Sequence, residues 1–138
     1  MMKGLYLAYA LGYPTFCSGA DLTASGASYA TRAAADPIHQ RPMIQAMARN
    51  YLGQAADAND PLASPLQASA AQLAALPPLL LQVGDRETVL SDSEDFALRA
   101  RAAGVPVDLQ VFPGMIHVFQ QFPAELPEAR SALAAAGA

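Results

Sequence analysis

The stretch from residue 77 to 114 constrains the fold most, because two short apolar runs flank a helical segment. The first run, "PPLLLQVG", is continuous and bounded by prolines and a glycine, which is typical of a strand buried on both faces. The second, "VPVDLQVFPG", predicts another strand closed by a Pro-Gly turn. Strand, helix and strand within about thirty residues form a β-α-β unit. We therefore predict two parallel strands joined by a right-handed connection.

The segment between these strands, "SDSEDFALRARAAG", begins and ends with residues that are typical of helix termini. Ser91 and Glu94 stand at the spacing of a capping box, and Gly104 is placed to end the helix. A last helix is predicted in "LPEARSALAAAG", with Pro127 near its start and Gly137 at its end. The C-terminal half of the chain is therefore predicted as an α/β unit.

Upstream of this unit the pattern predicts loops around one helix. "DLTASGASYATRAAADP" is rich in turn-forming residues, so we expect a loop with at most one helical turn. A helix should follow from Pro42 and end at Gly53, and "DANDPLASPLQ" should be a second loop. The apolar residues of that helix fall on one face; they are Met43, Ile44, Met47, Tyr51 and Leu52.

Composition excludes several classes of protein. Hydrophobic residues make up 53% of the 138 residues and charged residues 14%, which predicts one globular domain rather than a disordered chain. The net charge of −4 argues against nucleic acid as the main partner. No apolar stretch approaches the ~20 residues that a membrane span needs. Cys17 is the single cysteine, so neither an intrachain disulfide nor zinc-finger spacing is possible.

Residues 1–20 have two interpretations. Lys3, an apolar run and small residues near position 20 resemble a secretory signal peptide, which would make the protein secreted. Gly12 and Pro14 interrupt the apolar run, however, and favour a strand followed by a loop. On that interpretation we expect a cytoplasmic protein.

Chemically useful side chains follow both predicted strands. Asp85 and Glu87 come after the first strand, and His117 comes after the second. Functional groups of a parallel sheet gather beyond the carboxyl ends of the strands, and neighbouring strands lie ~4.8 Å apart. An acid after one strand can therefore orient a histidine after the other, which is the acid–base half of a nucleophilic triad.

Structural roles compete with this interpretation. A lone histidine such as His117 is more often a structural residue than a catalyst. His39, in "DPIHQRP", has no such partner pattern, so we predict a loop residue. Asp92 is placed to stabilise a helix N-terminus, whereas Asp36 and Asp60 each precede proline and predict turns.

A family resemblance adds to these observations. The chain from about Asp21 to its end resembles the C-terminal half of α/β-hydrolase esterases of the hormone-sensitive-lipase type. The resemblance implies a partial α/β-hydrolase fold, with a few-stranded parallel sheet and flanking helices. It also implies hydrolysis of small carboxylic esters by a Ser-Asp/Glu-His triad, with no cofactor and no metal. The matching segments are "DLTASGAS", "AADP", "YLG", "DPLASPL", "LPPLLLQVGDRETVLSDS" and "FPGMIHVFQ".

The resemblance assigns the catalytic base to His117. The assignment of the acid is less direct. The common family pattern is Asp-Pro-Leu-x-Asp-Glu, and "ETVLSDS" has a glutamate, Glu87, where the first aspartate of that pattern stands. A glutamate can orient an imidazole with a slightly longer reach, so Glu87 is our predicted acid. Asp85 remains the competing candidate.

Two motifs of the family are absent from this sequence. Neither the G-x-S-x-G nucleophile elbow nor the His-Gly-Gly-Gly stretch of the oxyanion hole occurs. Residues 1–20 also do not match the family strand that should lead into "DLT". We therefore expect a non-matching leader in residues 1–20 and the C-terminal part of an α/β-hydrolase domain in 21–138.

The missing motifs also define the expected behaviour and the alternatives. The isolated chain should be inactive as an esterase, and an uncovered sheet edge would favour self-association. The competing hypothesis is a non-catalytic, truncated α/β fragment or interaction module. A nucleotide-binding half-domain is disfavoured, because no G-x-G-x-x-G follows a strand.

Overall fold

A computed structural model describes residues 23–52, 61 and 64–137 of the chain. The leader 1–20 and the predicted turn residues Gly53 and Asp60 lie outside the described residues. The elements, in chain order, are α1 (Ser28–Thr31), α2 (Arg41–Leu52), a 3₁₀ turn (Pro65–Gln67), α3 (Ala70–Ala74), β1 (Leu79–Gly84), α4 (Leu90–Ala102), β2 (Val107–Phe112), a second 3₁₀ turn (Phe119–Gln121) and α5 (Pro127–Ala136).

The two strands of the described chain form a parallel pair. Their register runs from Leu79 opposite Val107 to Gly84 opposite Phe112, without a bulge. All but one of the β1 residues are buried, as expected for a continuous apolar run covered on both faces. The predicted parallel sheet is confirmed, and the carboxyl ends of both strands lie at the same edge.

Helices cover both faces of this small sheet. On one face, Leu79 and Leu81 of β1 belong to a core cluster with Phe96 of α4. Full burial of a side chain such as Phe96 contributes about 2 kcal/mol relative to exposure. On the other face, the Gln82 amide donates a 2.8 Å hydrogen bond to the carbonyl of Ala132 in α5. The architecture is therefore the predicted few-stranded parallel sheet with flanking helices.

The start of α4 differs from the predicted capping box. The helix begins at Leu90 after Val89, and no side chain caps it. The Ser91 hydroxyl instead lies 2.6 Å from the Ser28 hydroxyl, and the Ser91 amide donates to Ser28 Oγ at 2.9 Å. Ser91 is thus one residue inside the helix, because a buried contact with α1 engages its hydroxyl. At the other end, Gly104 follows the helix with a φ of +87°, as a helix-terminating glycine should.

Two residues are buried in the part of α2, residues 41–50, whose side chains the structure describes. Ile44 and Ala48 are buried, one helical turn apart, and Ile44 packs in a cluster with Tyr29 and Val89. Met43 and Met47, which the sequence places on the same apolar face as Ile44, are 38% and 39% exposed. Ile44 thus packs beside the N-terminus of α4, whereas these two methionines do not share its burial.

The remaining helical predictions agree with the structure. α1 is a single turn, as expected for the turn-rich segment before Asp36. α5 begins at Pro127 and is followed by Gly137 as its C-cap. Within the described ranges, no helix is long and apolar enough to cross a membrane.

Candidate active site

Two loops at the carboxyl edge of the sheet carry the predicted site residues, and backbone hydrogen bonds join them. The Asp85 amide donates to the Phe112 carbonyl at 3.1 Å, and the Arg86 amide donates to the Met115 carbonyl at 3.2 Å. These bonds continue the strand pairing beyond the ends of β1 and β2. The separation of the two loops is therefore set by the sheet.

Glu87 and His117 meet at this edge. His117 Nδ1 lies 2.6 Å from Glu87 Oε2, and Glu87 Oε1 accepts a 2.6 Å hydrogen bond from the Gly84 amide. Glu87 is 0% exposed and His117 is 4% exposed. Each carboxylate oxygen thus has a defined partner in a water-poor setting, where charge-assisted hydrogen bonds are strong. The carboxylate can hold the imidazole in one orientation.

Asp85, the competing acid, has a different partner. Its Oδ1 accepts a 2.7 Å hydrogen bond from the Gly114 amide, and its carbonyl accepts one of 2.6 Å from Arg32 Nε. The chain turns between Gly84 and Glu87, whose amide donates to the Gly84 carbonyl at 3.2 Å. Because of this turn, the Glu87 side chain points inward to His117, while the Asp85 side chain binds the backbone of the loop after β2 at Gly114.

Gly84 permits the close approach of the two loops. A Cβ atom at this position would collide with the backbone carbonyl of Met115, two residues before His117. Backbone cannot yield as a flexible side chain can, so the position requires glycine. Gly84, at the end of β1, therefore allows the loop that carries His117 to pass close to the β1 backbone.

The residue after His117 holds an unusual backbone conformation. Val118 has a φ of 54° and a ψ of 30°, in the left-handed region. A β-branched residue there is strained by roughly 1–2 kcal/mol. Such strain persists only where surrounding contacts impose it, and it is frequent beside functional groups.

A second histidine, which the sequence predicted only to be a loop residue, lies against His117. The ring centroids of His39 and His117 are 4.1 Å apart, with an interplanar angle of 64°, and His39 is 7% exposed. His39 does lie in a loop, as predicted, but its contact with His117 was not predicted, because the partner lies on a loop nearly eighty positions away and no local pattern reports such a contact.

Asp36 explains how His39 reaches this position. Its Oδ1 accepts hydrogen bonds from the amides of Ile38 at 2.8 Å and His39 at 2.9 Å, and its Oδ2 accepts one of 2.8 Å from the Thr88 amide. Burial raises the pKa of Asp36, but these hydrogen bonds outweigh burial and leave the pKa below its ordinary value. The Asp-Pro turn was predictable, whereas its attachment to the residue after Glu87 was not.

Asp92 serves the role predicted for it. It lies in the first turn of α4, where a carboxylate offsets the helix dipole, and it accepts a 2.9 Å hydrogen bond from the Tyr29 hydroxyl. The described parts of the chain contain no group of three or more His, Cys, Asp or Glu side chains that could hold a metal ion.

The burial of His39 predicts a pH dependence of stability. Burial, together with a smaller effect of nearby His117, lowers the pKa of His39 from 6.5 to about 4, and Asp36 opposes part of this shift. The unfolded chain therefore binds the proton first, so stability present above about pH 6.5 is lost as the pH falls toward about 4. Solvent screening reduces the effect to roughly 2 kcal/mol.

This dependence can be measured by urea unfolding at several pH values. His39→Phe should flatten the slope across that pH interval, because the titrating group is gone. An equal loss of unfolding free energy in the wild-type chain and His39→Phe would assign the dependence to other groups.

Comparison with known proteins identifies the family. A family model described as an alpha/beta hydrolase fold matches residues 3–121. The chain belongs to this α/β-hydrolase family, and the resemblance to esterases of the hormone-sensitive-lipase type is confirmed by the relatives below.

The relatives are esterases. An acetyl-hydrolase of Streptomyces hygroscopicus is 40% identical over 86% of this chain and 38% of its own length. An esterase of Acinetobacter venetianus is 38% identical over 83% of this chain and 37% of its own length. The chain thus spans less than two-fifths of the length of these curated relatives.

Solved structures agree with this family. A crystal structure of an esterase from the bacterial hormone-sensitive lipase family is 40% identical, with a TM-score of 0.80 over 96% of this chain and 46% of that one. An esterase/lipase from an uncultured bacterium is also 40% identical, with a TM-score of 0.78 over 96% of this chain and 45% of its own.

Proposed function

We propose that this chain supplies the general base and its orienting acid to a carboxylic-ester hydrolase. His117 is the base and Glu87 is the acid. The observation that carries the proposal is the buried 2.6 Å contact between His117 Nδ1 and Glu87 Oε2, at the carboxyl edge of the parallel sheet. Functional groups of α/β folds gather at this edge.

The mechanism follows from that contact. Glu87 accepts the Nδ1 proton and thereby fixes the tautomer in which Nε2 is the basic nitrogen. Nε2 takes the proton of a serine hydroxyl as its oxygen attacks the ester carbonyl, and then delivers that proton to the departing alkoxide. Water hydrolyses the acyl-enzyme through the same base. In both steps Glu87 stabilises the imidazolium.

Burial makes the acid essential in this arrangement. A buried charge that loses its partner costs about 3–5 kcal/mol, so an imidazolium without Glu87 would form much less readily. The bond from the Gly84 amide keeps the carboxylate in place before and after proton transfer. The orientation of the acid is thus set by the backbone and needs no rearrangement during turnover.

The serine and the oxyanion-hole donors are not supplied by this sequence, which has no G-x-S-x-G motif. We infer that the isolated chain turns over esters negligibly, since most of the transition-state stabilisation is missing. The substrate class that fits the relatives is small carboxylic esters, and the name of the Streptomyces relative favours short acyl groups.

A hybrid enzyme tests the proposal. This chain would replace the matching 46% of the esterase of the bacterial hormone-sensitive lipase family, which would contribute the nucleophile and oxyanion hole. We expect the hybrid to hydrolyse p-nitrophenyl esters of short acids, whereas the chain alone should not. A folded hybrid without activity would contradict the proposal.

The absence of the nucleophile elbow favours one other candidate, a non-catalytic α/β module that folds or docks without chemistry. In that case the contact between Glu87 and His117 would be structural only. If the chain is a non-catalytic module, replacing His117 should change stability alone. If it is part of a hydrolase, the same replacement should remove the activity of a hybrid that remains folded.

A further inference from the structure

His39 is a buried imidazole that the proposed mechanism does not use. Its Nδ1 has no hydrogen-bond partner in the part of the chain that the structure describes. An unpaired buried polar atom costs about 1–3 kcal/mol, so the polar nitrogen is not there for stability. The His39 ring instead contacts the His117 ring in an edge-on arrangement, with 4.1 Å between the ring centroids.

The position of His39 is fixed relative to Glu87. Asp36 accepts from the His39 amide with one carboxylate oxygen and from the Thr88 amide with the other. The Thr88 hydroxyl also donates to the His39 carbonyl at 3.3 Å. Because Thr88 follows Glu87 directly, these hydrogen bonds join the loop that carries His39 to the segment that carries the acid.

Glu87 and His39 contact different parts of the His117 imidazole. The Glu87 carboxylate lies against Nδ1, and the His39 ring packs edge-on against the imidazole ring. We propose that His39 is a positioning residue, whose ring holds the plane of His117 so that Nδ1 stays on Glu87. This inference deepens the proposed function and rests on it.

His39 acts in this role as a neutral ring. Its pKa of about 4 keeps it uncharged at neutral pH, so it adds no positive charge next to the imidazolium that forms on His117. An edge-to-face ring contact of this kind contributes about 0.5–1.5 kcal/mol beyond burial, which is enough to bias a side-chain conformation. A different aromatic ring at position 39 should therefore serve as well.

NMR of the imidazole nitrogens in the full chain at neutral pH tests the inference. In the wild-type chain we expect a low-field Nδ1 proton signal from His117 and well-separated Nδ1 and Nε2 shifts. His39→Ala should lose the proton signal and average the two nitrogen shifts, whereas His39→Phe should keep both features. Ile38→Ala is the matched control, since Ile38 is an exposed neighbour in the same loop, and it should resemble the wild-type chain.

Thermal melts separate positioning from a purely structural role. A structural role would lower the melting temperature of His39→Ala without changing the His117 signals of the folded molecules. Unchanged signals in His39→Ala would overturn the inference, and so would a His39→Phe chain that loses them. If the wild-type chain lacks the signal, or Glu87→Gln retains it, the proposed function itself fails.

Discussion

His117→Ala in the hybrid esterase is expected to lower kcat for a p-nitrophenyl ester by about 10⁴-fold or more. The alanine removes the imidazole, which takes the serine proton in the proposed mechanism. KM should change little, because the imidazole acts on the reacting atoms and not on the bound acyl group. Initial rates under saturating ester, with circular dichroism to establish folding, make the measurement.

Glu87→Gln extends this prediction to the acid. The amide keeps the volume of the side chain but donates where the carboxylate accepts, so it disfavours the tautomer with a proton on Nδ1. We expect a loss of kcat of about 10³–10⁴-fold. Asp85→Asn is the matched control: its remaining oxygen can still accept from the Gly114 amide, and kcat should stay within a few-fold of the parent. A larger loss in Asp85→Asn than in Glu87→Gln would exchange the two roles.

Gly84→Ala is expected to destabilise the chain more than any other glycine replacement in the site. The added methyl group would strike the Met115 carbonyl, so either β1 or the loop that carries His117 must move. Displaced backbone in a tightly joined pair of loops costs about 3–5 kcal/mol, which is comparable to the whole stability of a small domain. The unfolding free energy from urea titration measures the effect.

A glycine outside the site provides the control for that experiment. A Cβ at Gly137 would lie 3.6 Å from its nearest neighbour, the Leu133 carbonyl, which is ordinary contact. Gly137→Ala should therefore change the unfolding free energy by less than about 0.5 kcal/mol. Equal midpoints for Gly84→Ala and the wild-type chain would show that the loops do not cross as tightly as described.

The α/β unit was predictable because its signals are local. β1 is a continuous apolar run bounded by prolines and a glycine, and α5 carries proline and glycine at its two ends. Such local patterns are sufficient to predict both elements. The placement of Glu87 and His117 at one edge follows from parallel pairing alone. What the sequence left open was the choice between Glu87 and Asp85, which depends on how a four-residue turn directs each side chain.

Where the structure goes beyond or departs from the sequence prediction, a contact between distant segments decides the local structure. Ser91 fits a capping box by spacing, but the buried hydroxyl of Ser28 engages it, and the N-cap is Val89, two residues earlier. His39 gives no signal in "DPIHQRP", because Asp36 ties that loop to Thr88 across 52 positions. Hydrogen bonds between remote loops leave no periodic trace in a sequence.

The position of the proton on the His117 imidazole tests most directly whether Glu87 orients this histidine. At neutral pH we expect an Nδ1 proton signal at low field in the full chain, lost in Glu87→Gln and retained in Asp85→Asn. A His117 ring with its proton on Nε2, or an Nδ1 proton that survives Glu87→Gln unchanged, would contradict the assignment of Glu87 as the acid that orients this histidine.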